Sequence, residues 1–177
     1  MVVSASPGLD YTHTNGDTID IVLGTANQLR QAASASVDSV EVAGVTLPVA
    51  STLKSLGVIL DQRLTLDDHA TAVAKSCNYH ARALKHVRHL LPQSVARTLA
   101  CNLINSRLDY CNSLLHGAPE STMKKLQRAQ NNAARVVLAA NRRSDAKPLL
   151  RQLHWLPVRQ RVMYKMAVLT RTTGVPA

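Results

Sequence analysis

The stretch DDHATAVAKSCNYHARALKHVRHLL, residues 67–91, decides the fold because its side chains repeat with the period of an amphipathic helix. Asp67 and Asp68 suit the first turn of such a helix, and Pro92 stops it. Projected at about 100° per residue, the apolar side chains share one face. That inward face consists of Ala70, Val73, Cys77, Ala81, Leu84, Val87 and Leu91.

The opposite face of this helix is polar and basic. It carries Lys75, Asn78, Arg82, Lys85, His86 and His89. A helix predicted over residues 120–141 repeats the design, with Met123, Leu126, Gln130, Ala133 and Val137 inward. Its outward face holds Lys124, Lys125, Arg128, Asn131, Asn132 and Arg135. Two predicted helices therefore pair an apolar inner face with a basic outer one.

Other patterns place further elements on both sides of these helices. Residues 93–115 predict one continuous, centrally placed helix. Two shorter helices are predicted over residues 146–153 and 158–172. The inward residues of the last helix are Val162, Met166 and Leu169. Upstream, β-branched residues at 39–43, 45–49 and 52–60 predict three or four short antiparallel strands, with Pro48 at an edge. Residues 1–18 are turn-rich and predict a flexible lead-in.

The predicted fold class is α+β, mainly α, with a small antiparallel β-sheet at the N-terminal end. A bundle of three long helices and shorter C-terminal helices follows it. We divide the chain into a lead-in (1–18), a sheet segment (19–64) and a helical domain (65–177).

Charge is distributed unevenly along the 177 residues. Residues 1–50 carry a net charge of −4 and the remainder a net charge of +14, which together give +10. Such a surplus favours a polyanionic partner, since basic side chains that neutralise phosphates release bound counterions. Anionic membranes and acidic proteins attract the same charge, so the partner class stays open at this point.

Several function classes are disfavoured by composition. No apolar run approaches the ~20 residues of a membrane span, and the start lacks the basic pattern of a signal peptide. We therefore expect a soluble intracellular protein, nuclear or cytoplasmic. Cys77, Cys101 and Cys111 form no Cys-x-x-Cys pair, and the glycines form no phosphate-binding fingerprint, so we expect no metal and no cofactor.

The acidic residues at the start of the helical part are the one candidate for chemistry. Asp61, Asp67 and Asp68, with His69, could hold a hard cation as in a nuclease. Residues at a strand-to-helix junction more commonly form turns and helix caps. We favour that interpretation and predict no catalytic residue.

Four motifs carry a resemblance to a known family. They are LGVILD (56–61), SRLDYCNSLL (106–115), LQRAQNNAAR (126–135) and LHWLPV (153–158). In this order and spacing they resemble the region after the palm in reverse transcriptases of Jockey-type non-LTR (LINE) retrotransposons. The resemblance covers residues 19 to 175.

The resemblance implies a thumb-like role for the helices and a primer-grip-like role for Leu56, Gly57 and Val58. In that family the thumb tracks the template-primer duplex, so the basic faces become candidate contacts to its backbone. The resulting nucleic-acid-binding set is Lys75, Arg82, Lys85, His89, Lys124, Lys125, Arg128 and Arg135. The family's metal-binding Tyr-x-Asp-Asp hairpin has no counterpart here; the nearest string is TLDD, residues 65–68.

Three functional hypotheses follow. The leading one is a catalytically inactive fragment of an RNA-directed DNA polymerase that binds RNA or DNA duplexes non-specifically and in a salt-sensitive way. The alternative is a helical interaction module for an acidic protein. The third is a metal-dependent nuclease or transferase using Asp61, Asp67 and Asp68. A thumb without its palm should also expose an apolar surface, which favours self-association.

Overall fold

The computed structural model describes residues 39–42, 45–48 and 50–172. Over these residues the chain is mainly α-helical, with short antiparallel strands towards the N-terminal end, which confirms the predicted fold class. The predicted lead-in (1–18) and the start of the sheet segment lie outside the described residues. The chain divides into two compact units, Met1–Asp68 and His69–Ala177.

Four strands form two separate hairpins among the described residues. Strand β1 (Ser39–Val42) pairs antiparallel with β2 (Val45–Pro48), and β3 (Thr52–Ser55) pairs antiparallel with β4 (Val58–Asp61). The stretch 52–60 is therefore two strands. Its two-residue turn, Leu56-Gly57, has positive φ at both positions (47° and 80°), as in the mirror-image turns that suit the twist of hairpins.

A carboxylate-centred turn leads from β4 into the first helix. Oδ1 of Asp61 accepts hydrogen bonds from the backbone N–H groups of Arg63 (3.1 Å) and Thr65 (3.0 Å). Oδ2 accepts from the Thr65 hydroxyl (3.1 Å) and the Leu66 N–H (2.7 Å). Burial opposes ionisation, but these hydrogen bonds outweigh it and hold the pKa of Asp61 below its ordinary value.

The helices follow in the predicted order. Helix α1 spans Asp67–Val87, α2 Gln93–Ala100, α3 Ser106–Asp109, α4 Glu120–Val137, α5 Ala146–Gln152 and α6 Val158–Thr172. Short 3₁₀ turns cover Arg88–Leu90 and Asn112–Leu115, and a π-helical turn covers Cys101–Asn105.

The continuous helix predicted over residues 93–115 is wrong. The α-helical geometry widens at Cys101–Asn105 and ends at Asp109, after which Cys111 adopts a left-handed conformation with φ 50°. The 3₁₀ turn that follows packs against α6. This contact joins residues about 50 positions apart, so the local period of the sequence gives no sign of it.

Most predicted inward faces are buried. In α4 all five predicted positions, Met123, Leu126, Gln130, Ala133 and Val137, are buried. In α1 the buried positions include Ala70, Cys77, Ala81 and Leu84, whereas Val87 is exposed. In α6 Val162 is buried but Leu169 is 42% exposed, because no described element covers the second half of that helix.

Candidate nucleic-acid interface

Helices α1 and α4 run side by side in the same direction. Lys125 Nζ donates a hydrogen bond to Thr71 Oγ1 (3.1 Å), and Asn132 Nδ2 donates to Asn78 Oδ1 (3.3 Å). Both pairs are separated by 54 positions, so the two helices advance together along their length.

Three of the four bonded residues, Asn78, Lys125 and Asn132, lie on the basic faces predicted from the sequence, and Thr71 extends the α1 face by one turn. On α1 the residues spaced three and four apart are Thr71, Lys75, Asn78, Arg82 and Lys85. On α4 the matching residues are Lys125, Arg128, Asn132 and Arg135. Because hydrogen bonds join them at two levels, the two faces form one continuous surface, here called the basic seam and defined by these nine residues.

The basic residues of the seam differ in what they already contact. Lys75, Arg82, Lys85 and Arg128 are exposed, as is Lys124 beside the seam. Lys125 is half-buried by its contact to α1. The exposed four are therefore the side chains best placed to meet a phosphate backbone.

Arg135 is tied to the loop after α4. Its Nε donates to the carbonyl oxygen of Ser144 (3.0 Å), and Nη1 approaches Oδ1 of Asn132 at 3.4 Å. The guanidinium therefore supports a loop that carries the exposed Arg142 and Arg143. Arg135 acts in part as a structural residue, which the helical projection did not indicate.

His89 does not continue the α1 face. Helix α1 ends at Val87, and His89 lies exposed in the 3₁₀ turn Arg88–Leu90, where the α-helical period no longer applies. The neighbouring Arg88 is a residue that the sequence analysis missed. Its Nε donates to the Val137 carbonyl (2.8 Å) and its Nη1 to the Leu91 carbonyl (2.8 Å), so it ties the C-terminal end of α1 to that of α4.

The position of Arg88 near the C-terminal end of the helix predicted over residues 67–91 is the signal that could have revealed it, since basic side chains there often bind terminal carbonyls.

The primer-grip-like residues belong to the other compact unit. Leu56 and Gly57 form the β3–β4 turn, with Leu56 70% exposed, and Val58 is buried at the start of β4. The positive φ of Gly57 serves the hairpin turn itself. A bulky side chain at positive φ is uncommon, so Leu56 is presented at the tip of the turn at some cost in backbone strain.

The three C-terminal motifs are linked by hydrogen bonds, some of them through Arg161, which lies outside the motifs. From α4, Gln130 Nε2 donates to the Leu156 carbonyl (2.9 Å), and Gln127 Oε1 accepts from the Val158 N–H (2.9 Å). From α6, Arg161 donates through Nε to the Leu156 carbonyl (2.8 Å) and through Nη1 to Asp109 Oδ2 (2.7 Å). The conspicuous polar residues of these motifs thus fasten the Trp155–Pro157 turn between α4 and α6.

The carboxylates considered for metal binding lie in a turn and in the first turn of a helix. Asp61 is engaged by its own turn, and Asp67 and Asp68 lie in the first turn of α1, where negative charge is favourable. Among the described residues there is no group of three or more His, Cys, Asp or Glu side chains that could hold a metal ion.

Comparison of the chain with protein-family models, curated proteins and solved structures found no match. In the described part of the chain, every helix is too short or too polar to cross a membrane.

Proposed function

We propose that this chain is a thumb-like nucleic-acid-binding unit that holds the backbone of an RNA or DNA duplex without carrying out polymerase chemistry. The observation that supports the proposal is the pair of hydrogen bonds, Lys125 to Thr71 and Asn132 to Asn78, that joins two basic helix faces into the basic seam. Two parallel rows of cations on one surface suit a ligand that presents regularly spaced phosphates.

Backbone contact of this kind predicts a specific thermodynamic behaviour. Each phosphate neutralised by Lys or Arg releases counterions, so affinity falls with salt in proportion to the number of contacts. Such contacts position a duplex and do not read its bases. We therefore expect similar affinity for duplexes of different sequence.

The test is a charge reversal that uses only exposed seam residues. The variant carries Arg82→Glu, Lys85→Glu and Arg128→Glu, and it leaves Lys125 and Arg135 unchanged because both make structural hydrogen bonds. The matched control reverses the same number of exposed charges away from the seam: Arg97→Glu, Lys147→Glu and Arg151→Glu. Both variants have the same net charge.

Fluorescence anisotropy with a labelled duplex at several salt concentrations gives the readout. The seam variant should lose about three units of the slope of log affinity against log salt, because each phosphate contact accounts for about 0.9. The control should lose much less. Equal losses in the two variants, or no duplex affinity of the native chain at low salt, would overturn the proposal. A primer-extension assay with Mg²⁺ should show no product.

The alternative, a module that binds an acidic protein, is favoured by one observation. The second half of α6 exposes apolar side chains, including Val168 (40%) and Leu169 (42%), which a protein partner or a second copy of the chain could cover. This alternative would be preferred if the native chain retains a stoichiometric acidic protein at salt concentrations that abolish duplex binding. Sedimentation at increasing concentration tests self-association.

A further inference from the structure

A cleft separate from the basic seam lies beside α6. Its volume is about 390 Å³, within the range of small-ligand sites, and three separate segments of the chain line it. The lining residues are Asp109, Asn112, His154, Leu156, Arg161, Tyr164 and Lys165. None of them belongs to the basic seam, so ligand binding in the cleft can be tested independently of the proposed duplex binding.

Asn112 gives the cleft an unmet hydrogen-bonding requirement. Its side chain is buried, with 3% of the residue exposed, and its Oδ1 atom has no hydrogen-bond partner and is itself shielded from solvent, so the amide must turn to meet a ligand. Its Nδ2 lies 3.5 Å from Asp109 Oδ1. Buried acceptors are nearly always paired, and the terminal torsion of asparagine is broad enough for the amide to turn towards a ligand. A ligand that donates a hydrogen bond would satisfy this atom.

The rim of the cleft carries two cations, the carboxylate of Asp109 and an aromatic ring. Arg161, Tyr164 and Lys165 are spaced three and four apart and share one face of α6. Arg161 is held in place by the Leu156 carbonyl and by an ion pair with Asp109, which balances its charge and leaves Lys165 as the exposed cation of the rim. Tyr164 is 65% exposed and offers a ring face on which a planar group can stack.

We propose that this cleft binds a nucleoside monophosphate group, either as a free nucleotide or at the end of a single strand. The phosphate would meet Lys165 and Arg161, the base would stack on Tyr164, and an N–H group of the base would donate to Asn112 Oδ1. Inorganic phosphate meets the cations but has neither an N–H donor nor a ring, and an acidic peptide such as triglutamate has N–H donors but no aromatic face. The nucleotide is the ligand class that meets all three requirements together.

The experiment uses guanosine 5′-monophosphate as the probe, because its base edge presents two adjacent N–H donors. Binding to the full chain is measured by calorimetry, and the side-chain amide signal of Asn112 is followed by NMR. Inorganic phosphate, ribose 5-phosphate and a triglutamate peptide are the comparison ligands. A short single strand ending in guanosine distinguishes the strand end from the free nucleotide, and binding of either one supports the proposal.

Two matched substitutions separate the cleft from the rest of the surface. Tyr164→Leu should weaken nucleotide binding about tenfold or more, since one stacked base contributes about that factor. Tyr79→Leu removes an equally exposed ring on α1 and should leave the affinity unchanged. Likewise, Lys165→Glu should weaken binding, whereas Arg171→Glu on the same helix should not.

The proposal is wrong if phosphate or triglutamate binds as tightly as the nucleotide, if the Asn112 amide signal does not move, or if Tyr164→Leu has no effect. The seam variant Arg82→Glu, Lys85→Glu, Arg128→Glu should still bind the nucleotide. Tyr164→Leu should in turn retain duplex binding, so the failure of one proposal is distinguishable from the failure of the other.

Discussion

Replacing Gln130 by glutamate tests whether the α4 clamp on the Trp155–Pro157 turn depends on a neutral, donating side chain. Gln130 is fully buried, its Nε2 donates to the Leu156 carbonyl, and its Oε1 accepts from Gln127 Nε2 at 2.9 Å. In Gln130→Glu, one carboxylate oxygen would still accept from Gln127. The other would face the Leu156 carbonyl oxygen without a proton between them, so the ionised form is disfavoured.

The size of the expected loss of stability follows from the cost of keeping the buried carboxyl protonated. A buried carboxyl can lower its cost by staying protonated, in which case its O–H donates to Leu156 as the native amide does. Keeping it protonated at pH 7, about 2.7 units above its ordinary pKa, costs about 3.7 kcal/mol. At pH 5 the same step costs about 1 kcal/mol. The variant should therefore regain roughly 2.7 kcal/mol of stability relative to the native chain between pH 7 and pH 5.

The direction of the effect is fixed by the raised pKa. The folded variant binds a proton that the unfolded chain has lost at pH 7, so its stability falls as pH rises from the unfolded to the folded pKa. Urea unfolding at pH 5 and pH 7 measures the stability of the variant relative to the native chain. Trp155 serves as the fluorescent reporter because this residue lies in the clamped turn and is buried.

Gln130→Leu is the control for this experiment. It removes both hydrogen bonds without introducing charge, and its partners keep others: the Leu156 carbonyl still accepts from Arg161, and Gln127 Nε2 still donates to Asn131 Oδ1 (2.8 Å). We expect it to cost about 1 kcal/mol, independent of pH. A Gln130→Glu variant whose stability follows that of the native chain in parallel over the pH range would refute the reasoning.

Two further predictions concern single side chains. Asp61→Asn should accelerate exchange of the Leu66 amide roughly tenfold at neutral pH, since it weakens an acceptor that takes several N–H donors. Because the pKa of Asp61 is lowered in the folded chain, the stabilisation by its carboxylate is present above the unfolded-state pKa and is lost as pH falls through the folded-state pKa. A difference in exchange between the variant and the native chain that persists undiminished in strong acid would contradict this explanation. Burial raises the pKa of Cys77 to about 11, so little of its thiol is ionised at neutral pH. A thiol reagent applied to the native chain should therefore modify Cys101 and Cys111 and spare Cys77. Equal labelling of all three cysteines would count against the buried position of Cys77.

The basic faces of α1 and α4 were predictable because they depend only on the spacing of basic residues along each helix. In a helix, residues three and four apart share a face, so the exposure of Lys75, Arg82 and Arg128 followed from spacing alone. The burial of Gln130 followed in the same way, although the sequence did not say which groups would satisfy its amide. The turn chemistry of Asp61 was likewise anticipated from its place at a strand-to-helix junction.

The positions that the sequence misjudged depend on distant neighbours. Arg135 turns towards Ser144, His89 leaves the helical face, and the helix gives way after Asp109 to a 3₁₀ turn that packs against α6. Each outcome is set by a tertiary contact or by a change in backbone geometry, and residue period carries no information about either one.

The sequence by itself determined which side chains of α1 and α4 avoid the core, because that choice is made by apolar burial within each helix. Only the tertiary structure decided that the two basic faces adjoin, with Thr71 beside Lys125 and Asn78 beside Asn132. It also decided that Asp109, Asn112 and α6 enclose one cleft. The physical reason is that helix pairing depends on how side chains distant in sequence pack together, which no short stretch of sequence specifies.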